Sequence, residues 1–543
     1  MIIIILNTFL FLFIIFSHGI FFTKKVLKIN KFQGFYEISI YGLIFTIFLS
    51  QFLNYFFALN NTLLISNLIL ILIFFFFNKN LFISNIKLDL KVFTIFILLA
   101  FLQIYGSGYS DDLDHYHYSY IINTDNHPFI WGNSFLHNMF GTAPIWLTTN
   151  AYLNFDFSRL QDIHIVNGIF LFLIFGLFFS ELLSSKQNSL YKNPLIFSIF
   201  LFLLIKYTRL KEFGIDRPAI LLFCFFIFYY LKYFVYSSKK DINLDFLILL
   251  LIAICIVSIK IIYVPIFIFI FFVYFNHRKK IFFLGKKFII AYLAVAIFIL
   301  KNILSTGCVI FPISLTCIET LVWVNFNGAK ELSFLAEYFN KSWTSYNGTL
   351  SKSEYIQDFN WFKTWFSRGK TEIIEIFLTS FSIVFLTLVA FKIRLNKQIL
   401  IKKLNLFGYA LISIILLSTF IYFWKNPVIR MNHHVILSLI LLLVLYFCDF
   451  KINNQRKIMI PLILILFISY NCFKNINRII DYNFINDPIS KIKEKVREQK
   501  KFNISSFIYY VGWFGNTPIS QTKLKKKNYK KHLIFDILSN KKN

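Results

Sequence analysis

Apolar runs of about 15 to 22 residues alternate along the chain with short polar breaks, and runs of that length cross a bilayer as helices. Fourteen such runs lie near 3–22, 37–58, 62–77, 91–106, 163–184, 194–208, 217–236, 245–259, 261–275, 287–304, 372–391, 404–424, 430–448 and 457–473. The pattern predicts an all-α polytopic membrane protein of roughly 14 transmembrane helices. Lys260 and Pro265 interrupt the one long apolar stretch over 245–275, which implies a tight turn or a re-entrant kink. Two connections are long, 107–162 and 305–371, and long connections that are not disordered usually carry function. In the first of them, Ser134 to Asn150 is apolar with Trp131 and Trp146 near its ends, the pattern of a helix lying at the interface. The chain thus divides into a membrane domain, 1–473, and a small basic tail, 474–543.

Composition agrees: the 543 residues are 57% hydrophobic and 15% charged, more apolar surface than a soluble domain can cover. The formal charge of +30 does not indicate a nucleic-acid partner. Most lysines fall in alternate short connections, 23–36, 78–90, 185–193, 237–244, 276–286, 392–403 and 449–456, as expected of loops facing anionic cytoplasmic lipid. The connection 107–162, by contrast, has Arg159 as its single Lys or Arg. Met1 to Phe22 has no basic residue ahead of it and is followed by Lys24, Lys25, Lys28 and Lys31, the reverse of a cleavable signal peptide. The charge pattern therefore places the amino end, both long loops and the tail outside.

Acidic groups are scarce, yet Asp111, Asp112 and Asp114 stand with His115, Tyr116 and His117 directly after an apolar run. One such carboxylate could act as a general base toward a hydroxyl nucleophile while its neighbours orient substrate. The same cluster could hold a divalent metal, or its aspartates could do no more than start a helix. Several cations defy the inside rule: Lys206, Arg209, Lys211 and Arg217, then Lys260, then Lys425 and Arg430. Of these, Arg209, Arg217, Lys260 and Arg430 are candidates for binding phosphate, and pairing with Glu212 or Asp216 is the competing structural role. His433 and His434 adjoin Arg430 and fit interfacial packing. Cys308 and Cys317 share the second outer loop, where an oxidising exterior would allow a disulfide. Nucleotide-binding loops are absent from the chain.

The acidic stretch on the first long outer loop, in a chain with a second long outer loop, resembles the GT-C glycosyltransferases. The plan is closest to a group of uncharacterised bacterial inner-membrane proteins. Their pattern of an Asp four residues before Tyr-His is met by Asp112 and Tyr116-His117. It continues in Pro128, Gly132, His137, Trp146 and His164-Ile-Val-Asn167-Gly168, then in Asp216 with Pro218, Thr306-Gly307 through Pro312, and Pro427 through Arg430. Met139 departs from the group, which has a basic residue there.

This resemblance implies inverting transfer from a polyprenyl-phosphate-linked sugar to a glycan or lipid acceptor at the outer face of the bacterial inner membrane. Asp112, or next Asp111, would be the base; Asp114, His115, Tyr116, His117 and His137 would orient substrate. Some members of the superfamily use a divalent metal and others none. A polysaccharide polymerase or ligase acting on undecaprenyl-diphosphate-linked glycan is the second expectation, and a lipid-linked substrate flippase the third.

Overall fold

A computed structural model of the protein describes residues 2–29, 34–85, 90–107, 112–155, 164–183, 193–210, 214–236, 241–282, 285–342, 348–391, 402–448 and 459–481, with paired strand segments between 500 and 540. The helices in chain order are α1 (Ile2–Ile20), α2 (Phe35–Asn54), α3 (Asn61–Phe77), α4 (Lys79–Asn85), α5 (Leu90–Tyr105), α6 (Tyr118–Asn126), α7 (Asn138–Thr142), α8 (Ile145–Tyr152), α9 (Ile165–Leu183) and α10 (Pro194–Lys206). They continue as α11 (Asp216–Tyr230), α12 (Ile242–Ile259), α13 (Phe267–His277), α14 (Ile289–Thr306), α15 (Phe326–Ser342), α16 (Lys352–Ile356), α17 (Phe362–Ala390), α18 (Lys402–Lys425), α19 (His433–Phe447) and α20 (Met459–Asp481). Every apolar run holds a helix. Among the described residues, nine helical segments are long and apolar enough to cross a membrane, and the other runs hold apolar helices of 10–17 residues. The chain is an α-helical multi-pass membrane protein.

Burial separates an inner set of helices from an outer one. The apolar windows of α9, α11 and α12 are 83–89% buried, whereas those of α14, α17, α18 and α20 are only 22–33% buried. Exposed Leu293, Phe377, Phe381, Leu416 and Leu466 give the outer set an apolar surface suited to lipid. Close approach of α1 and α2 depends on two glycines. A Cβ on Gly42 would lie 1.8 Å from the carbonyl oxygen of Ile15, and one on Gly19 would lie 2.1 Å from that of Ile38. These contacts pair 19 with 38 and 15 with 42, so the two helices run antiparallel, held by backbone packing as small residues permit in membranes.

One polar network ties the inner helices together. Glu37 of α2, 1% exposed, accepts from Tyr41 Oη and Tyr233 Oη, each at 2.8 Å, and from Lys232 Nζ at 2.8 Å. Lys232 also reaches Glu181 of α9 at 3.1 Å. The starts of α2 and α12 and the ends of α9 and α11 meet here, four termini that the lysine pattern assigns to one side. At Lys260 the backbone is extended (φ −150°, ψ 107°) and leads into the tight turn Ile261–Ile266. Phe246 near the start of α12 meets Tyr274 near the end of α13, with ring centroids 6.4 Å apart, so the chain reverses at Lys260. It is a turn rather than a kink.

Three expectations need correction. Ser134 to Asn150 is no interfacial helix: it folds into a short turn at Asn133–Phe135 followed by α7 and most of α8, and Trp146, Leu147 and Ala151 are fully buried. Helix α17 begins at Phe362, so it takes up the end of the loop placed at 305–371. Helix α20 runs to Asp481 and takes up the start of the tail placed at 474–543. Beyond it, antiparallel strands pair Lys500–Ile504 with Phe507–Val511 and Lys527–His532 with Phe535–Asn540, outside the all-α pattern. The strand Phe507–Val511 runs beside α6.

Replacing Gly42 by Ala is expected to cost about 1–3 kcal/mol by overpacking. Gly34, where an added Cβ would meet nothing within 4 Å, is the matched control. Thermal unfolding of the purified protein checks this, with a lower Tm for Gly42→Ala and an unchanged one for Gly34→Ala.

Candidate functional site

Helix α11 ends in the Glu37–Lys232 network and begins at the opposite end of the bundle with Asp216 and Arg217; α12 begins beside Tyr229 with Asp245 and ends at Lys260. At that opposite end a cavity of ≈ 1100 Å³ opens between helix termini and the two long loops. The ends of α10 and α12 and the starts of α11 and α19 supply Lys206, Tyr207, Asp216, Arg217, Lys260 and His433. The first loop supplies Asp112, His115, Tyr116, His117 and His137; the second supplies Pro312 and one face of α15.

The acidic wall comes from a π-helical turn, Leu113–His117, that continues directly into α6. Asp112 precedes this turn without capping it, so its half-buried carboxylate is left toward the cavity. It accepts no hydrogen bond from the described residues. Three imidazoles gather around it. The ring centroids of His115 and His137 are 4.9 Å apart, and those of Tyr116 and His117 are 4.4 Å apart. Burial lowers the pKa of His115 against the opposing pull of Asp112. It takes His117 down to about 4, although Asp112 and Asp216 oppose the shift, and His137 to about 3 with help from His115. Burial thus favours the neutral imidazole at all three positions.

The cations of the cavity are already partly paired. Lys260 Nζ makes a short contact with Asp216 Oδ1, and Lys206 Nζ binds Glu375 Oε1 at 2.8 Å. Arg217 lies 5.9 Å from the ring centroid of Tyr207. The turn after α10 is fixed from behind by amides and a guanidinium: Gln103 Nε2 donates to Tyr207 O at 2.9 Å, Asn475 Nδ2 to Thr208 O at 2.9 Å, and Arg478 Nη1 to Thr208 O at 2.6 Å. These donors satisfy carbonyls that the end of a helix leaves open.

The second loop forms a third side. Glu331, Leu332, Leu335, Ala336 and Phe339 of α15 line the cavity at helical spacing, so one helix face is turned to it. Glu337, on the other side of α15, accepts from Lys341 Nζ at 2.6 Å and from Lys425 Nζ, which fastens α15 to α18. Cys308 and Cys317 are disulfide-bonded and close the loop that carries Pro312. Asn325 Nδ2 joins this loop to the first by donating to Ser134 O at 3.3 Å.

Of the residues singled out in the sequence, Asp112, His115, Tyr116, His117, His137, Arg217 and Lys260 share the cavity. Arg209 does not line it. Asp111 and the side chains of Asp114 and Arg430 lie outside the described residues, although Met431 and His433 beside Arg430 reach the cavity. Lys206, Asp216 and Glu331 join the lining without having been chosen as site residues; for Glu331 the apolar spacing of 326–342 held the signal. Among the described residues no group of three or more His, Cys, Asp or Glu is arranged to hold a metal. A family model described as a domain of unknown function (DUF8201) matches residues 1–437, which takes in the whole cavity. The chain belongs to this family. No curated protein and no solved structure matches it.

The buried histidines make stability depend on pH. Below about 6.5 the unfolded chain takes up protons that His117 refuses in the fold until about 4, so stability falls as pH falls through that window. Unfolding measured at about pH 7 and about pH 5 should show a lower Tm at the acid value, and His117→Asn should reduce the difference.

Proposed function

We propose that the protein is an inverting glycosyltransferase that moves a sugar from a polyprenyl-phosphate donor to a hydroxyl of a cell-surface glycan or lipid. One observation carries this reading: a carboxylate, Asp112, that accepts no hydrogen bond from the described residues, and the cations Lys206, Arg217 and Lys260 line the same cavity at one end of a membrane bundle. A carboxylate wall suits a nucleophilic hydroxyl, and a cationic wall suits a phosphate leaving group. The lysine-poor loop 107–162 supports an outer placement of this end.

In this mechanism the acceptor oxygen attacks the anomeric carbon, the carbon–oxygen bond to phosphate breaks, and Asp112 takes the hydroxyl proton. The departing phosphate gains charge next to Arg217 and Lys260. Because Lys260 is held by Asp216 and Lys206 by Glu375, both cations are positioned before the donor arrives. Preorganised charge of this kind needs no rearrangement during the reaction. The apolar face of α15, with Leu332, Leu335 and Phe339, gives the first isoprene units a surface to follow.

Purified protein in lipid nanodiscs is the test, with a panel of polyprenyl-phosphate sugars as donors. Asp112→Asn is expected to lower turnover by about 100-fold or more, the scale of a lost general base. Arg217→Ala should raise the donor concentration needed for half-maximal rate. Arg209→Ala, outside the cavity, should leave transfer near wild type. Full activity of Asp112→Asn at equal protein level would overturn the assignment. Dependence on Arg209 rather than Asp112 would point instead to a polymerase or ligase acting on a diphosphate-linked glycan.

A further inference from the structure

His137 has one ring nitrogen already committed. It precedes α7, and its Nδ1 accepts the backbone N–H of Met139 at 3.0 Å. A nitrogen that accepts an N–H bond carries no proton, so in the neutral ring the proton sits on Nε2. The residue is 7% exposed, its Nε2 has no hydrogen-bond partner among the described residues, and it lines the cavity.

The turn that fixes this tautomer is itself held on two sides. Lys301 Nζ, buried in α14, donates to Gly141 O at 3.1 Å. Gly141 packs so closely that a Cβ would lie 2.7 Å from Thr306 and 2.8 Å from Phe311. The ring of His137 also stacks on Phe140, centroids 5.4 Å apart. Both the orientation and the tautomer of the imidazole are thus set before any ligand binds.

We infer that His137 is a positioning residue whose Nε2–H is a fixed hydrogen-bond donor to a sugar oxygen of the bound donor lipid, and neither the proton-transfer group nor a metal ligand of the site. Metal ligation through Nε2 would need both ring nitrogens free of protons, an imidazolate that the Met139 contact does not provide. A sugar oxygen is favoured over a phosphate oxygen by place. The ring of His137 lies against that of His115, which stands in the field of the Asp112 carboxylate, and an anionic phosphate beside a carboxylate is disfavoured. The identity of the ligand rests on the glycosyl-transfer reading; the tautomer does not.

The test is magnetic resonance of the full chain in nanodiscs with 15N-labelled histidine, using His137→Asn to assign the signal. The expected result is an Nε2–H tautomer unchanged from about pH 5 to about pH 8. Its proton should shift on addition of polyprenyl-phosphate glucose and stay in place with polyprenyl phosphate alone. An Nδ1–H tautomer, titration within that range, or an equal shift with the sugar-free lipid would overturn the inference. Two variants separate ligand binding from folding: Asn can still cap Met139 but cannot reach as Nε2 does, whereas Gln reaches but caps poorly. Binding of the glucosyl lipid should be lost in His137→Asn and kept in His137→Gln; the opposite order would assign His137 a structural role alone. If no sugar lipid of the donor panel shifts the Nε2 proton although transfer from one of them proceeds, the ligand assignment for His137 falls while the glycosyl-transfer reading stands. If none of the panel binds or reacts, the glycosyl-transfer reading itself fails and the fixed donor stands.

Discussion

The ion pair between Lys260 and Asp216 is the contact on which the cavity depends. The apolar stretch Phe246 to Phe275 is long enough to continue as one helix across the bilayer. Instead it ends a helix at Ile259, extends for one residue and turns back. Irregular backbone near membrane depth is tolerated where it is buried in protein or lines a polar cavity, and this turn does the latter. A lysine at such a place is costly without a counter-charge, and Asp216 at the start of α11 supplies it. The pair thereby joins two neighbouring helices at the same end and brings Arg217, the next residue, to the same wall.

The two ends of the bundle carry different polar chemistry. At one, Glu37, Glu181, Lys232, Tyr41 and Tyr233 bind one another in a single network. At the other, charges are held but not sealed: Lys206 and Lys260 each have a single carboxylate partner, and Asp112 has none among the described residues. Saturated polar groups join helices, whereas groups with capacity left over bind ligands. That contrast, rather than the presence of charge, distinguishes the candidate site from structural glue.

Hydrophobic length made the helices legible in the sequence, because the membrane admits few other ways to satisfy a backbone. The alternation of lysine-rich connections was legible for the same reason: Glu37, Glu181 and Lys232 do meet at one end, and Lys206, Asp216 and Lys260 at the other. The Asp112 cluster stood out against a background poor in acids, and Asp112, His115, His117 and His137 do line one cavity. Less legible was anything set by tertiary contact. The apolar stretch Ser134 to Asn150 reads the same for a helix on the membrane surface as for the broken, buried chain observed. The pairing of Lys260 with Asp216 was one of several that charge spacing allowed. Arg209 and Arg217 look equivalent in sequence, yet a turn pinned by Gln103 and Asn475 leaves one out of the cavity and places the other in it.

The central claim is that one cavity holds the donor across both walls. Its most direct measurement is a cryo-electron microscopy structure of the protein with a polyprenyl-phosphate sugar bound. The account predicts the phosphate in contact with Arg217 and Lys260, the sugar between Asp112 and His137, and the lipid tail along α15. A lipid phosphate seated elsewhere, for instance at Lys232 at the opposite end, with this cavity unchanged, would contradict it.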